Sequence, residues 1–412
     1  MSSTPSCRFC NTALEHVFVD LGMSPLANAY LRPEQGDEME SFYPLCVYVC
    51  KRCLLVQLPE FEAPENIFGD YAYFSSYSES WLKHARDYTD YIIERFGFDR
   101  NNRIIEIASN DGYLLQYFVK RGIPVIGVEP AVNVAKVARE HGINTIIKFF
   151  GTNTARELAE SGQQGDLVIG NNVLAHVPDL NDFVAGLKTI LGDKGLITME
   201  FPHLMRLMDE NQFDTIYHEH FSYFSFMTVE KIFAHHGLTL FDVEELQTHG
   251  GSLRIFARHT EDEEKTVTDR VVNLRNRERK AGFEHVETYT NFDSKVSGVK
   301  RNLLDFLITA KREGKSIVGY GAAAKGNTLL NYCGIRKDFL DYVVDRSPHK
   351  QNHLLPGSHI PIYSPDRIKD TRPDYLLILP WNLKKEIMEQ MNHIRKWGGR
   401  FVVPIPDTEV CE

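Results

Sequence analysis
The 412-residue chain has no run of eighteen apolar residues, the length that a membrane-spanning helix needs, so no membrane association is expected. Its polar N-terminus lacks an apolar signal segment, and the expected location is the cytoplasm. Positive charge is not in excess: 46 basic residues against 56 acidic give a net charge of −10. That argues against a nucleic-acid partner, while leaving room for a local basic pocket for phosphates. No G-x-G-x-x-G dinucleotide fingerprint follows the first nucleotide-type strand. Cysteines number only seven, and four of them form two C-x-x-C pairs, which suits metal binding in a reducing compartment better than a disulfide framework. What is present is an ordinary globular composition, 43% hydrophobic and 25% charged, long enough for two or three domains.

Cys7-Arg-Phe-Cys10 and Cys50-Lys-Arg-Cys53 are two knuckles. Each turn places two thiolates on one side of a metal, and two such turns complete a tetrahedral site. The expectation is one structural zinc ion; four thiolates leave no open position for chemistry. Cys46 competes as a ligand through its spacing to Cys50.

Arg103–Gly112 reads as an apolar strand running into a Gly-ended turn, followed by a helical pattern from Tyr113 to Lys120. Further strands are expected at 124–130, 166–172 and 196–201, with helices at 131–141 and 179–191 and the segment 143–150 between them. Such alternation predicts a parallel, doubly wound sheet, with ligands at the carboxyl ends of its strands. The turn's E-x-A-x-N-D-G pattern (Glu106, Ala108, Asn110, Asp111, Gly112) resembles the loop of S-adenosylmethionine-dependent methyltransferases, with Ala108 and Asn110 where glycines are usual. That resemblance implies a cofactor set of these five residues with Glu129 and Pro130, Phe150, Asn171 and Asn172. Glu129, at the end of the second strand, is the candidate acceptor for the ribose hydroxyls.

Tyr217-His218-Glu219-His220 packs two imidazoles, a carboxylate and a phenol into four residues between apolar neighbours. Alone, the cluster reads equally well as a base with its partners, a metal pair or a hydrogen-bonded core.

Residues 262–312 are charged and helix-compatible, and read as a solvated linking helix. Beyond them Lys315–Asn327 forms strand, Gly319/Gly321 turn and helix start, with strands at 340–345, 375–379 and 401–403, a second and smaller parallel α/β unit. The turn can set a helix N-terminus against a phosphate or merely pack strand on helix; Tyr320 lies within it and Lys325 adds a cation suited to a pyrophosphate. His249-Gly-Gly-Ser-Leu-Arg254 offers another close backbone approach, with Arg254 a phosphate clamp or a surface cation. Trp381-Asn382, past a strand end, is either core or a contact to base or sugar.

Taken in order, these motifs, with Tyr71–Ser76 and Asn172–His176, resemble the C-methyltransferases that act on nucleotide-linked 4-keto-deoxysugars. The resemblance implies an α/β fold of three parts: a zinc lobe over 1–66, an S-adenosylmethionine domain over 67–260, and a linking helix with a C-terminal α/β domain over 261–412 contributing to nucleotide-sugar binding. It implies His220 as general base, assisted by Tyr217 and Glu219, with Tyr73 and His176 as further active-site groups; His218 falls at a variable position. His249, Arg254, Tyr320, Lys325 and Asn382 are the substrate candidates. The implied reaction is methylation at C3 of a nucleotide-diphosphate-linked 4-keto-6-deoxyhexose through an enolate, and a monomer suffices for it. Two other functions compete: an NAD(P)-dependent oxidoreductase with Asp345 as ribose acceptor, and a non-enzymatic zinc scaffold.

Overall fold
Continuous apolar runs become the buried strands of two mostly parallel sheets, and segments with apolar residues three or four apart become helices over their faces. The computed structural model describes residues 4–63 and 74–411. The chain divides into two compact units made of interleaved segments. Met1–Leu14, Cys50–His203 and Phe221–His285 form the first; Glu15–Val49, Leu204–His220 and Val286–Glu412 form the second.

In the first unit, a seven-stranded sheet has the order Leu238–Leu246, Ser252–His259, Leu191–Pro202, Gly165–Asn171, Ile104–Ile107, Val125–Val128, Thr145–Ile146. The last five strands of that order are parallel, and Ser252–His259 runs antiparallel to both its neighbours. All four residues of Ile104–Ile107 are buried, as a strand covered on both faces requires. Helix Glu79–Phe96 is capped by Ser78, whose side chain accepts from Trp81 N, and ends on Gly97 in the left-handed conformation. Its Ala85, Tyr88 and Ile92 share one core with Ile104, Phe118, Leu167 and Phe256.

The second unit contains a six-stranded sheet: Ile362–Tyr363, Val343–Val344, Ile317–Tyr320, Tyr375–Ile378, Arg400–Val403, Glu409–Cys411. Its first five strands are parallel and the last is antiparallel. An antiparallel pair, His16–Ser24 with Tyr43–Val49, also belongs to this unit. An N-terminal lobe bearing four thiolates, a central doubly wound sheet and a smaller C-terminal α/β sheet are thus the architecture expected from the sequence.

The 262–312 stretch differs from its reading as one solvated helix. It forms helices Asp269–Lys280, Val286–Thr290 and Phe292–Arg312, and the chain passes from the first unit to the second at 285/286. Val271 and Leu274 are buried in the first helix, and Phe292, Val296, Val299, Leu303 and Leu307 in the third. Those apolar positions at helical spacing are diluted among charges, which hid the buried stripe. The arginines are paired: Arg270 with Asp242, Arg275 with Glu230, Arg277 with Glu245 and Arg279 with Glu284. No helix among the described residues is long and apolar enough to cross a membrane.

Candidate active site
The N-terminal knuckles fold alike. Asn11 N donates to Cys7 O at 2.9 Å and Leu54 N to Cys50 O at 2.9 Å, with Asn11 and Leu54 both at positive φ (58° and 65°). The repeated turn aims all four thiols inward, and the sulfurs of Cys7, Cys10, Cys50 and Cys53 lie within 4.8 Å of one another. Cys7 Sγ and Cys53 Sγ are 3.5 Å apart, as are Cys10 Sγ and Cys50 Sγ. A zinc ion with bonds of about 2.3 Å has a tetrahedral edge of about 3.8 Å, so this donor set fits zinc. Gln57 Nε2 approaches Cys7 Sγ at 3.1 Å and Arg52 N approaches Cys50 Sγ at 3.4 Å, outer contacts that orient the ligands. Cys46 lies in strand Tyr43–Val49 and is not a member of the cluster.

At the carboxyl end of Ile104–Ile107 the chain turns through Ala108 (φ 56°), Asn110 (φ 49°) and Gly112 (φ 79°). The two positions where glycines are usual therefore adopt the glycine-type conformation. Asn tolerates it, while Ala108 holds a strain on the order of 1 kcal/mol. Gly112 is required on a second ground: a Cβ there would stand 2.1 Å from Ile143 Cδ1. Glu129 closes the turn from the next strand, one carboxylate oxygen accepting Asn110 N and the other Ala131 N, each at 2.9 Å. Pro130 is the residue bridged by that second bond. Ser75 N donates to Asn110 Oδ1 (3.0 Å), and Ser76 donates to Asp111 Oδ2 through its amide (3.1 Å) and its hydroxyl (2.5 Å). Among the described residues, the buried Asp111 Oδ1 meets no hydrogen-bond partner.

Burial pushes the Glu106 carboxyl well above its usual range, and the charges of Asp111 and Glu129 act in the same direction. Burial likewise raises Glu129, against the backbone amides. Asn171 ends strand Gly165–Asn171, its side-chain amide buried. Asn172 follows at φ 53°, its N–H on Glu200 O. Phe150 packs edge-on against Phe183 at 5.4 Å. A cradle closed by glycine, rich in carboxyl groups and holding a buried carboxylate oxygen unmatched among the described residues fits a cationic, amine-bearing cofactor such as S-adenosylmethionine.

His176 closes the short turn Leu174–His176 in the same unit. His249 is there too, at φ 56°, its ring edge-on to Trp81 at 5.3 Å, with Gly250 and Gly251 also at positive φ. Arg254 differs from both of its expected roles. It is only 5% exposed, and its guanidinium is committed to Glu200 (2.7 and 2.5 Å) and to Glu244 (3.0 Å), stacking over Tyr88. A cation inside a sheet finds its carboxylates on neighbouring strands, whose register the sequence does not display. Tyr73 lies outside the described residues.

The Tyr217–His220 cluster belongs to the second unit, and the chain crosses to the first unit immediately after it. His220 N returns to Tyr217 O (2.9 Å), and the two rings lie tilted against each other with centroids 4.1 Å apart. His220 Nδ1 lies 2.8 Å from the Thr215 carbonyl. A carbonyl only accepts, so Nδ1 carries the proton and, in the neutral ring, Nε2 carries the lone pair. Glu219 is 5% exposed; burial raises its carboxyl to about 7, against the hydrogen bond from Asn28 and the charge of Lys350. His218 is 4% exposed, 3.2 Å from Pro44 O and edge-on to Tyr43, and burial lowers its pKa.

The glycine turn of the second sheet is in this unit as well. Gly321 has φ 94°, and a Cβ there would meet Pro380 Cδ at 2.5 Å. Ala322 N donates to one oxygen of Asp345 and Ser347 N to the other, each at 2.8 Å. Lys325 Nζ donates to Asn382 Oδ1 (2.9 Å) and lies 4.8 Å over the Trp381 ring. Trp381 is buried at 7% exposure, and its Nε1 donates to Asp214 Oδ2 (2.7 Å), which places it in the core. Burial lifts Asp214 to about 6, against the Lys325 charge. Beside the turn opens a cleft of about 430 Å³, lined by Tyr320, Arg346, Gln351, Ser364, Asp366 and Gln390. Asp214, Arg346 and Gln351 carry no motif that would single them out in the sequence.

Comparison with known proteins bears on each part. Family models match for a "Putative zinc binding domain" over residues 7–68, a methyltransferase domain over 81–243 and a C-methyltransferase C-terminal domain over 247–406. The C-methyltransferase NovU of Streptomyces niveus is 36% identical over 404 residues, covering 98% of this chain and 96% of that protein. A ubiquinone biosynthesis O-methyltransferase of Bartonella quintana is 29% identical over 98 residues, 24% of this chain and 40% of that protein. Among solved structures, magnesium protoporphyrin IX methyltransferase (ChlM) of Synechocystis PCC 6803 with bound SAM is 13% identical with a TM-score of 0.33, covering 43% of this chain and 78% of that one.

Proposed function
The chain belongs to the C-methyltransferase family, and from that premise we propose that it methylates C3 of a nucleotide-diphosphate-linked 4-keto-6-deoxyhexose using S-adenosylmethionine. A carbon acceptor must first become a nucleophile, and a proton beside a ketone is the one a neutral imidazole can remove. His220 is that base: with its Nδ1 proton held by the Thr215 carbonyl, Nε2 bears the lone pair that takes the C3 proton. This tautomer, fixed within a chain related along its whole length to a C-methyltransferase, is the observation that carries the reading.

Tyr217, His176 and Tyr73 are the candidate donors for the oxygen on which negative charge develops. Glu219 and Tyr217 hold the base loop's shape, and the imidazolium formed at His220 is favoured by any carboxylate character at Glu219. S-adenosylmethionine supplies an electrophilic methyl on sulfur, which the carbanion takes with release of neutral S-adenosylhomocysteine. Glu106, Asp111 and Glu129, with Ala108, Asn110, Gly112, Pro130, Phe150, Asn171 and Asn172, would hold it. Lys325 and the Gly319–Gly321 turn would take the pyrophosphate, with Tyr320 and Asn382 beside it and the adjacent cleft suited to the carrier's nucleoside. His249 is proposed as a further contact to substrate. Cys7, Cys10, Cys50 and Cys53 would hold one zinc that serves structure alone. We infer a monomeric cytoplasmic enzyme.

The test is incubation with a panel of thymidine- and guanosine-diphosphate 4-keto-6-deoxyhexoses, read by mass, with carbon NMR locating the new methyl. His220→Asn should keep its fold and its affinity for S-adenosylhomocysteine while methylation falls about 10³-fold, the scale of a lost general base. Near-normal turnover by that variant would refute the base assignment.

A further inference from the structure
Residues 27–30 belong by sequence to the N-terminal lobe, yet four contacts join them to the groups that would handle substrate. Asn28 Nδ2 donates to Glu219 Oε1 at 2.6 Å. The Tyr30 hydroxyl donates to the Ala322 carbonyl, in the glycine turn, at 2.5 Å. Lys350 Nζ donates to the same carbonyl at 2.8 Å and lies over the Tyr30 ring. Asn327, on the helix that follows the turn, donates to Ala27 O at 2.6 Å. The base loop is pinned to that helix and strand end on its other side, by Thr328 Oγ1 on Ile216 O (2.9 Å) and by Trp381 on Asp214. All of these residues lie in the second unit.

We propose that Asn28 and Tyr30 are positioning residues that fix the register between the base loop and the glycine turn, and so select which carbon beside the keto group loses its proton. The proposal rests on the nucleotide-sugar reading. A 4-ketohexose has two acidic carbons, C3 and C5, flanking one carbonyl. With the phosphates anchored at the turn, the base reaches one or the other according to how far the loop stands from that anchor. Misplacement by about 1 Å costs about 100-fold in rate, and the two carbons are farther apart than that. Glu219, next to His220 in the chain, is the loop's point of attachment to this strut. Burial disfavours its ionised form, which Asn28 and Lys350 favour, so the strut also sets the charge beside the base.

The experiment uses the full chain with thymidine-diphosphate-4-keto-6-deoxyglucose in deuterated water without cofactor, following deuterium at C3 and C5 by NMR. Methyl transfer kinetics are measured in parallel. Wild type should exchange one carbon. Asn28→Ala should exchange both, with the selectivity ratio changed at least about ten-fold and kcat for methylation lowered about ten-fold, while KM stays within about three-fold. Tyr30→Phe keeps the ring under Lys350 and loses only the bond to Ala322, so it should shift the ratio in the same direction; it decides the matter if Asn28→Ala does not fold. An unchanged ratio in the folded variants overturns the strut. Wild type that exchanges neither carbon overturns the base reading itself, a different failure.

Discussion
The two parallel sheets share one backbone device and differ in the charge set around it. In the first, Ala108 N donates to Val128 O, Asn110 N to the acid that ends the next strand, and the amide two residues beyond that acid to its other oxygen. The second repeats this with Gly321 N on Val344 O, Ala322 N on Asp345 and Ser347 N on Asp345. Around the first turn stand Glu106, Asp111 and Glu129. Around the second, Asp345 is accompanied by the cations Lys325 and Arg346, with Asp366 in the cleft and Asp214 bonded to Trp381. The hydrogen bonds make a concavity and are indifferent to what fills it. The side-chain charges choose, and on the reading proposed above they suit a cation in one case and a phosphate in the other.

The largest expected effect tests whether both turns depend on a common element. Cys10→Ser, or chelation, should abolish zinc binding at the four cysteines and with it soluble folded protein, since structural zinc contributes about 10 kcal/mol in small domains. Metal analysis and circular dichroism check this; zinc-free, soluble and active wild type would refute the structural role. Next, Lys325→Met should weaken nucleoside-diphosphate binding about 30-fold while leaving S-adenosylhomocysteine untouched, the size of a lost charged hydrogen bond. Calorimetry with both ligands measures it, and equal losses would break the comparison.

Glu129→Gln should do the converse, lowering S-adenosylhomocysteine affinity about ten-fold, because the new amide must turn an N–H towards Asn110 N or Ala131 N. The smallest effect is on stability. The Glu219 carboxyl is raised to about 7 from an ordinary 4.5, so its contribution is present below the lower value and lost as pH rises through the upper. Relative to Glu219→Gln, wild type should therefore lose about 2 kcal/mol between pH 5 and 7.5 by denaturant titration, and a flat difference would show that the carboxyl is ionised throughout.

Local chemistry was the legible part. The C-x-x-C spacing foretells the thiolate cluster, and E-x-A-x-N-D-G foretells a tight turn even with Ala108 and Asn110 in place of glycines, because the conformation is set within a few residues. Pairings across long stretches of chain left no such trace. Asn28 and Glu219 are separated by 191 positions, and Arg254 and Glu200 by 54, so neither bond has a periodicity to betray it. The charged stretch 262–312 misled in a related way: its apolar stripe is real but thin, and paired arginines look in sequence like solvated ones.

The chain changes unit five times, at 14/15, 49/50, 203/204, 220/221 and 285/286. For inheritance this has a cost. A recombination event that replaced everything after residue 285 with a relative's sequence would import a new Gly319–Gly321 turn and leave the old Tyr217–His220 loop, in 204–220, and the old Asn28 and Tyr30, in 15–49. On the proposed reading, a new carrier preference would then arrive with a mismatched ruler. Exchange of substrate range between relatives should therefore proceed by point substitution in Asn28, Tyr30 and the cleft, or by swapping three separate segments together, and builders of chimeras face the same constraint.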